Sequence, residues 1–494
     1  MSLLRARAGR WWKPAALGLA IVAAGVVGAV PNVRKVTISV AGENPSSGGI
    51  TRTDSGSRTG GRAPNAGGGP ITAQQRAACA AGRNGGATDV GVTGRTIKLG
   101  ATVVETGIGK SFLADVRHSM IAVVNRVNAA GGICGRRLQL ILKDDGWDAN
   151  RGFGFIQNLV EQERVFALAV VPSSEGLRAA SRWLRDRGVP VVGTDGMLAH
   201  QYTSPLIWPV AAATVTAMHV MVKNAYDRGA RRFGIVYDSN YHFGVEGSYA
   251  FNGAVRRLTG SDVPGYVDPL SGVPQCRQGS RFCGVKAGQA SYGTEVEVMN
   301  SACGTGTRCD FIVYLLEPQT AQQWMQDGGL TADPEQVRFG IAGSQPLFNR
   351  GFGSQCGRKC HDMWVWSGYT PPIEPYVGQP AVSAYVNDVR ETNAQADVNN
   401  SFVLGGYLGM KLLVAALHET GPNLTRRSLA QALDRARLDT GLSTPLAWSP
   451  GRHFANQCLV AFSIQARPFF AGWRKQTDFL CDPWPGQDVP GRLE

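Results

Sequence analysis

Apolar residues recur at steps of three or four along one stretch of the chain, and this spacing predicts an amphipathic helix. The positions that share this face are Phe112, Val116, Met120, Val123 and Val127. Gly131 and Gly132 follow, and glycine readily adopts the left-handed conformation that often ends a helix. A short apolar run with Leu138, Leu140 and Ile141 then predicts a buried strand. These elements form half of a βαβ unit.

The same alternation of apolar patterns continues along the chain. Strands are predicted at about 96–104, 165–171, 189–192, 232–238, 311–316, 337–342, 364–369, 458–462 and 469–473. Helices are predicted at about 151–163, 176–187, 213–228, 402–417 and 425–436. Strands that alternate with helices indicate parallel sheets with right-handed crossovers, here in two α/β lobes. Residues 262–308 lack this alternation and are predicted to form an irregular loop region.

The charge of the chain is concentrated near its N-terminus. The 494 residues carry a formal net charge of +13. Residues 1–92 hold 11 Lys and Arg against three acidic residues, so the other residues carry only +5. No basic and aromatic cluster accompanies this excess, so a nucleic-acid partner is not expected.

The N-terminal segment has the pattern of an export signal. Four basic residues precede an uncharged apolar run at 14–31, which predicts a signal peptide or signal anchor within residues 1–40. Residues 41–75 are rich in Gly, Ser and Pro and predict a flexible linker. We therefore expect an exported protein at the cell surface, in the extracellular space or in the periplasm. An uncleaved N-terminal segment would associate it with the membrane.

Ten cysteines in an exported chain indicate disulfides. Their placement suggests the pairs Cys276–Cys283, Cys303–Cys309, Cys356–Cys360, Cys458–Cys481 and Cys79–Cys134. The alternative is a metal site at Cys356, Cys360 and His361. That cluster lacks the paired Cys-x-x-Cys spacing of zinc modules, so neither a metal nor another cofactor is predicted.

Polar residues follow two predicted strands of the first lobe, where open parallel sheets bind their ligands. Ser173 and Ser174 stand at the end of one strand, and Asp195 and Gly196 at the end of the next. The two serines also begin a helix, where free N–H groups and the helix dipole favour a carboxylate. The alternative is that one serine serves only as the N-cap.

The second lobe offers candidates at equivalent positions. Tyr241 and Phe243 follow its first strand, either as an apolar lid over a pocket or as core residues. Glu317 follows the next strand, and Ser344 with Gln345 the one after.

One motif in this chain resembles a known family. The stretch Asn128-Ala-Ala-Gly-Gly-Ile133, then Gly135-Arg-Arg-Leu138 and Asp144-Asp145, resembles the signature of type I substrate-binding proteins of ABC importers. The branched-chain amino-acid group is especially similar. Cys134 departs from the pattern, because the family usually has Asn or a small polar residue there.

The resemblance runs from about Thr96 to the C-terminus and implies the type I periplasmic binding protein fold, with two doubly wound parallel-sheet lobes joined by a hinge. Lobe 1 would comprise residues 76–212 and 343–440, and lobe 2 residues 213–342 and 441–494. The implied partners are a small-molecule solute in the cleft and ABC permease subunits in the membrane.

The resemblance also implies a ligand-binding set: Thr106, Ser173, Ser174, Asp195, Gly196, Tyr241, Phe243, Glu317, Ser344 and Gln345. Amino-acid binders of this family carry an acidic residue near the position of Ser344, to hold the ammonium group. Either Glu317 or Asp195 supplies that charge here, or the ligand is not an α-amino acid.

Three functions follow from these patterns. The first is a substrate-binding protein that captures a small polar solute, such as an amino acid or related compound, by hinge closure. The second is an extracellular sensor domain of the same fold. The third is an enzyme, which is not expected because Gly-x-Ser-x-Gly and His-Glu-x-x-His motifs do not occur.

Overall fold

The structure is a computed structural model that describes residues 77, 79, 82–271, 276–304 and 309–490. The predicted export signal (residues 1–40) and the whole predicted linker (residues 41–75) therefore lie outside the described residues. The α/β fold is built on two separate main sheets.

The first sheet has five parallel strands in the order β2-β1-β3-β4-β5. These strands are β1 Thr96–Val103, β2 Arg137–Asp144, β3 Ala167–Ala169, β4 Val191–Val192 and β5 Ile207–Trp208. The helices between them are α1 Lys110–Leu113, α2 Val116–Ala129, α3 Ala149–Glu161, α4 Ser174–Asp186 and α5 His200–Thr203. Parallel pairing places all five carboxyl ends on one edge, toward the second lobe.

The predicted helix before Gly131 is confirmed, with a break between Leu113 and Val116. Its apolar face is buried at Phe112 and Val116 and continues along α2. Gly132 has φ +77°, and a Cβ at this position would collide with the carbonyl oxygen of Arg136. Only glycine therefore fits the turn into β2.

The second sheet has the order β14-β13-β10-β9-β8-β6-β7, with β15 paired to β13. The remaining strands are β6 Phe233–Asp238, β7 Phe282–Val285, β8 Phe311–Leu315, β9 Ile341–Gly343, β10 Trp364–Ser367, β11 Arg437–Leu438, β12 Leu446–Ala447, β13 Cys458–Ala466, β14 Phe470–Lys475 and β15 Leu480–Cys481. Strands β11 and β12 form a separate two-stranded sheet. The strands from β6 to β10 pair in parallel, and β13 joins them antiparallel.

Eight further α-helices lie within the residues that the structure describes. They are α6 Thr214–Asp227, α7 His242–Thr259, α8 Gly293–Cys303, α9 Pro318–Gln326, α10 Arg350–Cys356, α11 Pro380–Thr392, α12 Ser401–Thr420 and α13 Arg426–Asp434. Helix α12 is long and apolar enough to cross a membrane, but 78% of its most apolar window is buried. It is therefore a core helix, packed against α2 and the first sheet.

Two details differ from the sequence predictions. Residues 262–308 are not wholly irregular, because they contain β7 and α8. Strand β7 has only four residues and is recognisable only through its parallel pairing with β6. Strand β10, which the predicted boundaries assign to lobe 1, pairs with β9 and β13 and thus lies in the second sheet.

All five predicted cysteine pairs are bonded: Cys79–Cys134, Cys276–Cys283, Cys303–Cys309, Cys356–Cys360 and Cys458–Cys481. The bond between Cys356 and Cys360 removes the two thiolates that a metal beside His361 would require. Within the described part of the chain, no group of three or more metal-binding side chains comes together.

His219 of α6 fixes the C-terminal segment to the second lobe. Its Nδ1 lies 2.9 Å from Asp482 Oδ1 and its Nε2 lies 3.0 Å from Asp488 Oδ2. Burial alone would lower the pKa of His219, but hydrogen bonds and charges from the two carboxylates raise it. Both nitrogens can donate at once only in the imidazolium form, so the two carboxylates favour that form.

We expect His219→Gln to lower the free energy of unfolding by about 2 kcal/mol, because the buried Asp482 loses its cation and the half-buried Asp488 is left with Arg257 alone. A raised histidine pKa gives stability that is present below about pH 6.5 and is lost as the pH rises through the folded-state value. Urea unfolding between pH 5 and 9 should show that the stability difference between wild type and His219→Gln decreases as the pH rises. In the control His418→Gln no deficit should appear at low pH, because burial lowers the pKa of His418 and its contribution has the opposite sign. A deficit of equal size at every pH in His219→Gln would contradict the assignment.

Candidate functional site

Aromatic side chains meet where the strand ends of the two lobes face each other. Trp147 follows β2 and stacks on Tyr241 of the second lobe, with ring centroids 4.4 Å apart. Phe243, at the start of α7, lies 6.0 Å from the same indole. Tyr241 and Phe243 thus pack against Trp147 between the lobes, and Phe243 is fully buried.

Two hydrogen-bonded contacts also cross between the lobes. The Glu175 carboxylate accepts from the backbone N–H of His242 at 2.9 Å and contacts His242 Nδ1 at 2.7 Å. Glu246 of α7 accepts from the backbone N–H of Ala199 at 2.6 Å. Both carboxylates are buried, so the lobes are closed on each other.

The start of α4 presents polar groups that the helix itself does not use. Ser173 occupies the N-cap position, but its hydroxyl makes no capping hydrogen bond. The same hydroxyl is fully buried and has no hydrogen-bond partner among the residues the structure describes. Ser174 Oγ instead accepts from Trp147 Nε1 at 3.3 Å. Neither serine therefore serves only as a cap, and the first N–H groups of α4 remain available for an anion.

Asp145 lies beneath this helix start. Its carboxyl lies beside Gly152 and Gly176, which pack closely on each other. A Cβ at Gly152 would lie only 2.9 Å from Asp145 Oδ2, so a side chain there would crowd the carboxyl. Burial raises the pKa of Asp145 to about 6, and the nearby Ser173 hydroxyl partly offsets the shift. The hydroxyl thus faces the carboxyl without the alignment of a hydrogen bond.

Asp195 is a buried acidic group with one unused oxygen. Its Oδ1 accepts from the Met197 N–H at 3.2 Å and from Gln201 Nε2 at 2.8 Å. Its Oδ2 has no partner in the described part of the chain, although the residue is only 8% exposed. Burial raises the pKa of Asp195 to about 7. The neighbouring Gly196 has φ +67°, and a Cβ there would collide with the Tyr202 hydroxyl.

Glu317 is engaged by its own helix. It caps α9, and its carboxylate accepts from Gln319 N–H at 2.8 Å and Thr320 N–H at 2.5 Å. Its backbone N–H also donates to Asp238 at 2.7 Å, and burial raises the pKa of Glu317. Of the two acidic candidates for an ammonium group, Asp195 has the free oxygen.

The remaining candidates take three different positions. Ser344 donates to the Leu316 carbonyl at 2.7 Å, so its hydroxyl proton is used within the lobe. Gln345 lies between the lobes and its amide is 3.4 Å from Ser401 Oγ. Thr106 is exposed and donates to Asp144 at 2.8 Å, outside the enclosed part of the cleft.

The closed cleft encloses two small cavities. One is bordered by Asp195, Gln345 and Tyr369, and the other by Phe243, Ser344 and Gln345. Each offers about 10 Å³ to the centre of a water molecule, which is the space of about one water. Larger molecules can therefore enter either of these two cavities only when the lobes separate. Methionines line the second cavity, at positions 197, 218 and 221.

Several residues of this site escape detection from sequence patterns. Asp145, Trp147, Glu175 and Glu246 were not among the predicted ligand-binding residues. The position of Trp147 directly after Asp144-Asp145-Gly146, at a strand exit, is a signal that could have indicated it.

Comparisons with known proteins agree on the fold. A family model described as periplasmic binding protein matches residues 96–273 and 339–468, which is more than half of the chain. A search of curated proteins found no match.

Solved structures of similar fold include three substrate-binding or solute-binding proteins of transporters. A fatty acid substrate-binding protein from Thermomonospora curvata has a TM-score of 0.64 and 18% identity, over 82% of this chain and 97% of that chain. A solute-binding protein from R. palustris, in complex with 4-hydroxybenzoate, has a TM-score of 0.64 and 15% identity, over 78% and 97%. The branched-chain amino acid transporter substrate binding protein LivJ from Streptococcus pneumoniae, in complex with isoleucine, has a TM-score of 0.62 and 16% identity, over 78% of this chain and 100% of that chain.

Proposed function

Because this chain belongs to the periplasmic binding protein family, we propose that it captures a small polar solute outside the cytoplasm and delivers it to the permease subunits of an ABC importer. The fold is that of type I members, which the sequence resemblance predicted. The solute would enter the open cleft and be enclosed as the lobes close about their hinge. The protein would bind the solute without converting it.

The observation that carries the proposal is the unused oxygen of Asp195 within the cleft. A buried carboxyl without a partner is costly unless a bound group satisfies it. An ammonium group supplies both the hydrogen bond and the charge. It would also draw the raised pKa of Asp195 back down, because a nearby cation favours the carboxylate.

The start of α4 supplies the complementary end of the site. Free N–H groups of its first turn and the unpartnered Ser173 hydroxyl favour a carboxylate. Trp147, Tyr241 and Phe243 offer an apolar surface between the lobes. Taken together, these groups suit an amino acid or a related compound whose side chain is apolar.

The test is calorimetric titration of the disulfide-intact full chain with amino acids, amides, small peptides and aromatic acids. Asp195→Asn keeps the shape of the side chain but loses its charge, so we expect an amino-acid ligand to bind about 100-fold more weakly. Asp478→Asn is the matched control, because Asp478 is 91% exposed and pairs only with Lys475 at the surface.

Two results would argue against the proposal. The absence of saturable binding across the panel would reject solute capture of this class. Wild-type affinity in Asp195→Asn would reject the assigned ammonium site but would leave solute capture intact. Mass spectrometry of the recovered ligand should find it chemically unchanged.

A further inference from the structure

A basic pocket lies in lobe 1, and its lining residues are distinct from those of the two cavities of the cleft. Its volume is about 540 Å³, and α4 and α5 form its walls. Arg178, Arg182 and Arg185 of α4 line it. Their spacing of four and then three residues places them on one helical face, so their guanidinium groups can converge on one ligand.

Little within the protein neutralises these arginines. None of the lining residues, all within the described stretch 82–271, is acidic. Arg182 forms no ion pair in the part of the chain that the structure describes. Arg178 lies 3.8 Å from Glu175 and its charge also acts on Glu246, but the Glu175 carboxylate already contacts His242 at 2.7 Å. Arg185 lies 3.6 Å from its exposed sequence neighbour Asp186.

His200 provides an independent indication of a ligand. It lines the same pocket, and both of its ring nitrogens are buried without a hydrogen-bond partner in the described residues. Burial, with the charges of Arg178 and His242, lowers the pKa of His200 to about 3, so the ring is neutral and carries one N–H. An unused buried donor beside uncompensated arginines would be satisfied by an acceptor that is also an anion.

We propose that this pocket binds a phosphate-type oxyanion, held by the arginines of α4 with His200 as a neutral donor. Guanidinium groups bind phosphate through paired N–H donors, and several oxygens allow more than one arginine to contact the same anion. The volume also admits a small organic phosphate. This site is separate from the solute cleft and does not depend on the function proposed for it.

The test uses the full chain and two soluble probes, inorganic phosphate and glycerol 3-phosphate, each titrated calorimetrically against sodium chloride of equal ionic strength. The variant Arg182→Gln/Arg185→Gln removes two exposed charges and should weaken binding at least tenfold. The control Arg427→Gln/Arg435→Gln removes two exposed arginines of α13 and its C-terminal end and should stay within twofold of wild type. Circular dichroism confirms that both variants are folded.

Each outcome decides the proposal. Binding of inorganic phosphate that is lost only in the pocket variant supports a free oxyanion as the ligand. Binding of glycerol 3-phosphate alone, with the same loss, supports an organic phosphate such as a lipid headgroup. Failure of both probes to bind wild type, or an equal loss in both variants, overturns the site.

Discussion

Gly409→Ala is expected to lower the free energy of unfolding by about 3 kcal/mol, because one methyl group has no room between α12 and the first sheet. A Cβ at Gly409 would lie 2.5 Å from the carbonyl oxygen of Gly193 and 2.7 Å from its Cα. Both atoms belong to the backbone, so they cannot rotate away as a side chain could. Gly193 itself has φ +81° at the end of β4, beside Asp195.

The control is the same substitution at a helical glycine with open space around it. A Cβ at Gly154 in α3 would meet nothing within 4 Å. Gly154→Ala should therefore stabilise the protein by up to about 1 kcal/mol, through helix propensity alone. Chemical denaturation of both variants provides the comparison. A loss of less than 1 kcal/mol in Gly409→Ala would mean that the helix can shift away from β4.

The double variant Asp195→Asn/Glu246→Gln is expected to gain stability relative to wild type as the pH rises from 5 to 8, on the order of 6 kcal/mol. Burial raises the pKa of Asp195 to about 7 and that of Glu246 to about 8. Glu175 raises both values further, whereas Arg178 lowers that of Glu246. In wild type, each group has a higher pKa when the protein is folded than when it is unfolded.

The direction follows from proton binding. Between the unfolded and folded pKa values, the folded protein holds protons that the unfolded chain has released, so stability falls as the pH rises. The amides of the variant do not titrate and remove this dependence. The stability of wild type alone would not isolate this effect, because burial lowers the pKa of His200 to about 3 and makes stability rise with pH below pH 6.5. His200 is present in both proteins, so its contribution cancels when the stability of the double variant is compared with that of wild type.

Urea unfolding of both proteins at intervals of half a pH unit gives the measurement. Small-angle scattering would add a structural check, because charged carboxyls gain hydration when the lobes separate. The radius of gyration of wild type should therefore rise with pH more than that of the variant. Asp478→Asn, at an exposed site, should follow wild type. Parallel stability curves for wild type and the double variant would contradict this prediction.

Much of the fold could be predicted because its signals are local. The apolar spacing before Gly131, the glycine stop and the strand β2 lie within about 30 residues and are all confirmed. The closely spaced cysteine pairs are equally local. Strand β7 was missed because four buried residues give no period, and its identity depends on pairing with β6, which lies far away in sequence.

The site could be predicted only in part, because its contacts form between the lobes. Trp147 stacks on Tyr241, which is 94 residues away in sequence, and this contact forms only when the two lobes close on each other. The choice between Glu317 and Asp195 also required the geometry of α9. One signal was available in the sequence: Glu317 directly precedes Pro318, and proline is favoured at the first position of a helix. A side chain in that position is often engaged as a cap.

The Cys79–Cys134 disulfide joins the entry of the chain to the turn after α2, and so to the first lobe alone. Arg136 stabilises the same attachment of the N-terminal segment to the first lobe, because its buried guanidinium donates to the carbonyls of Thr93, Gly86 and Pro422. A pull on the N-terminal segment would therefore act directly on the first lobe. It would reach the second lobe only through the hinge and through closed-cleft contacts such as the stacking of Trp147 on Tyr241.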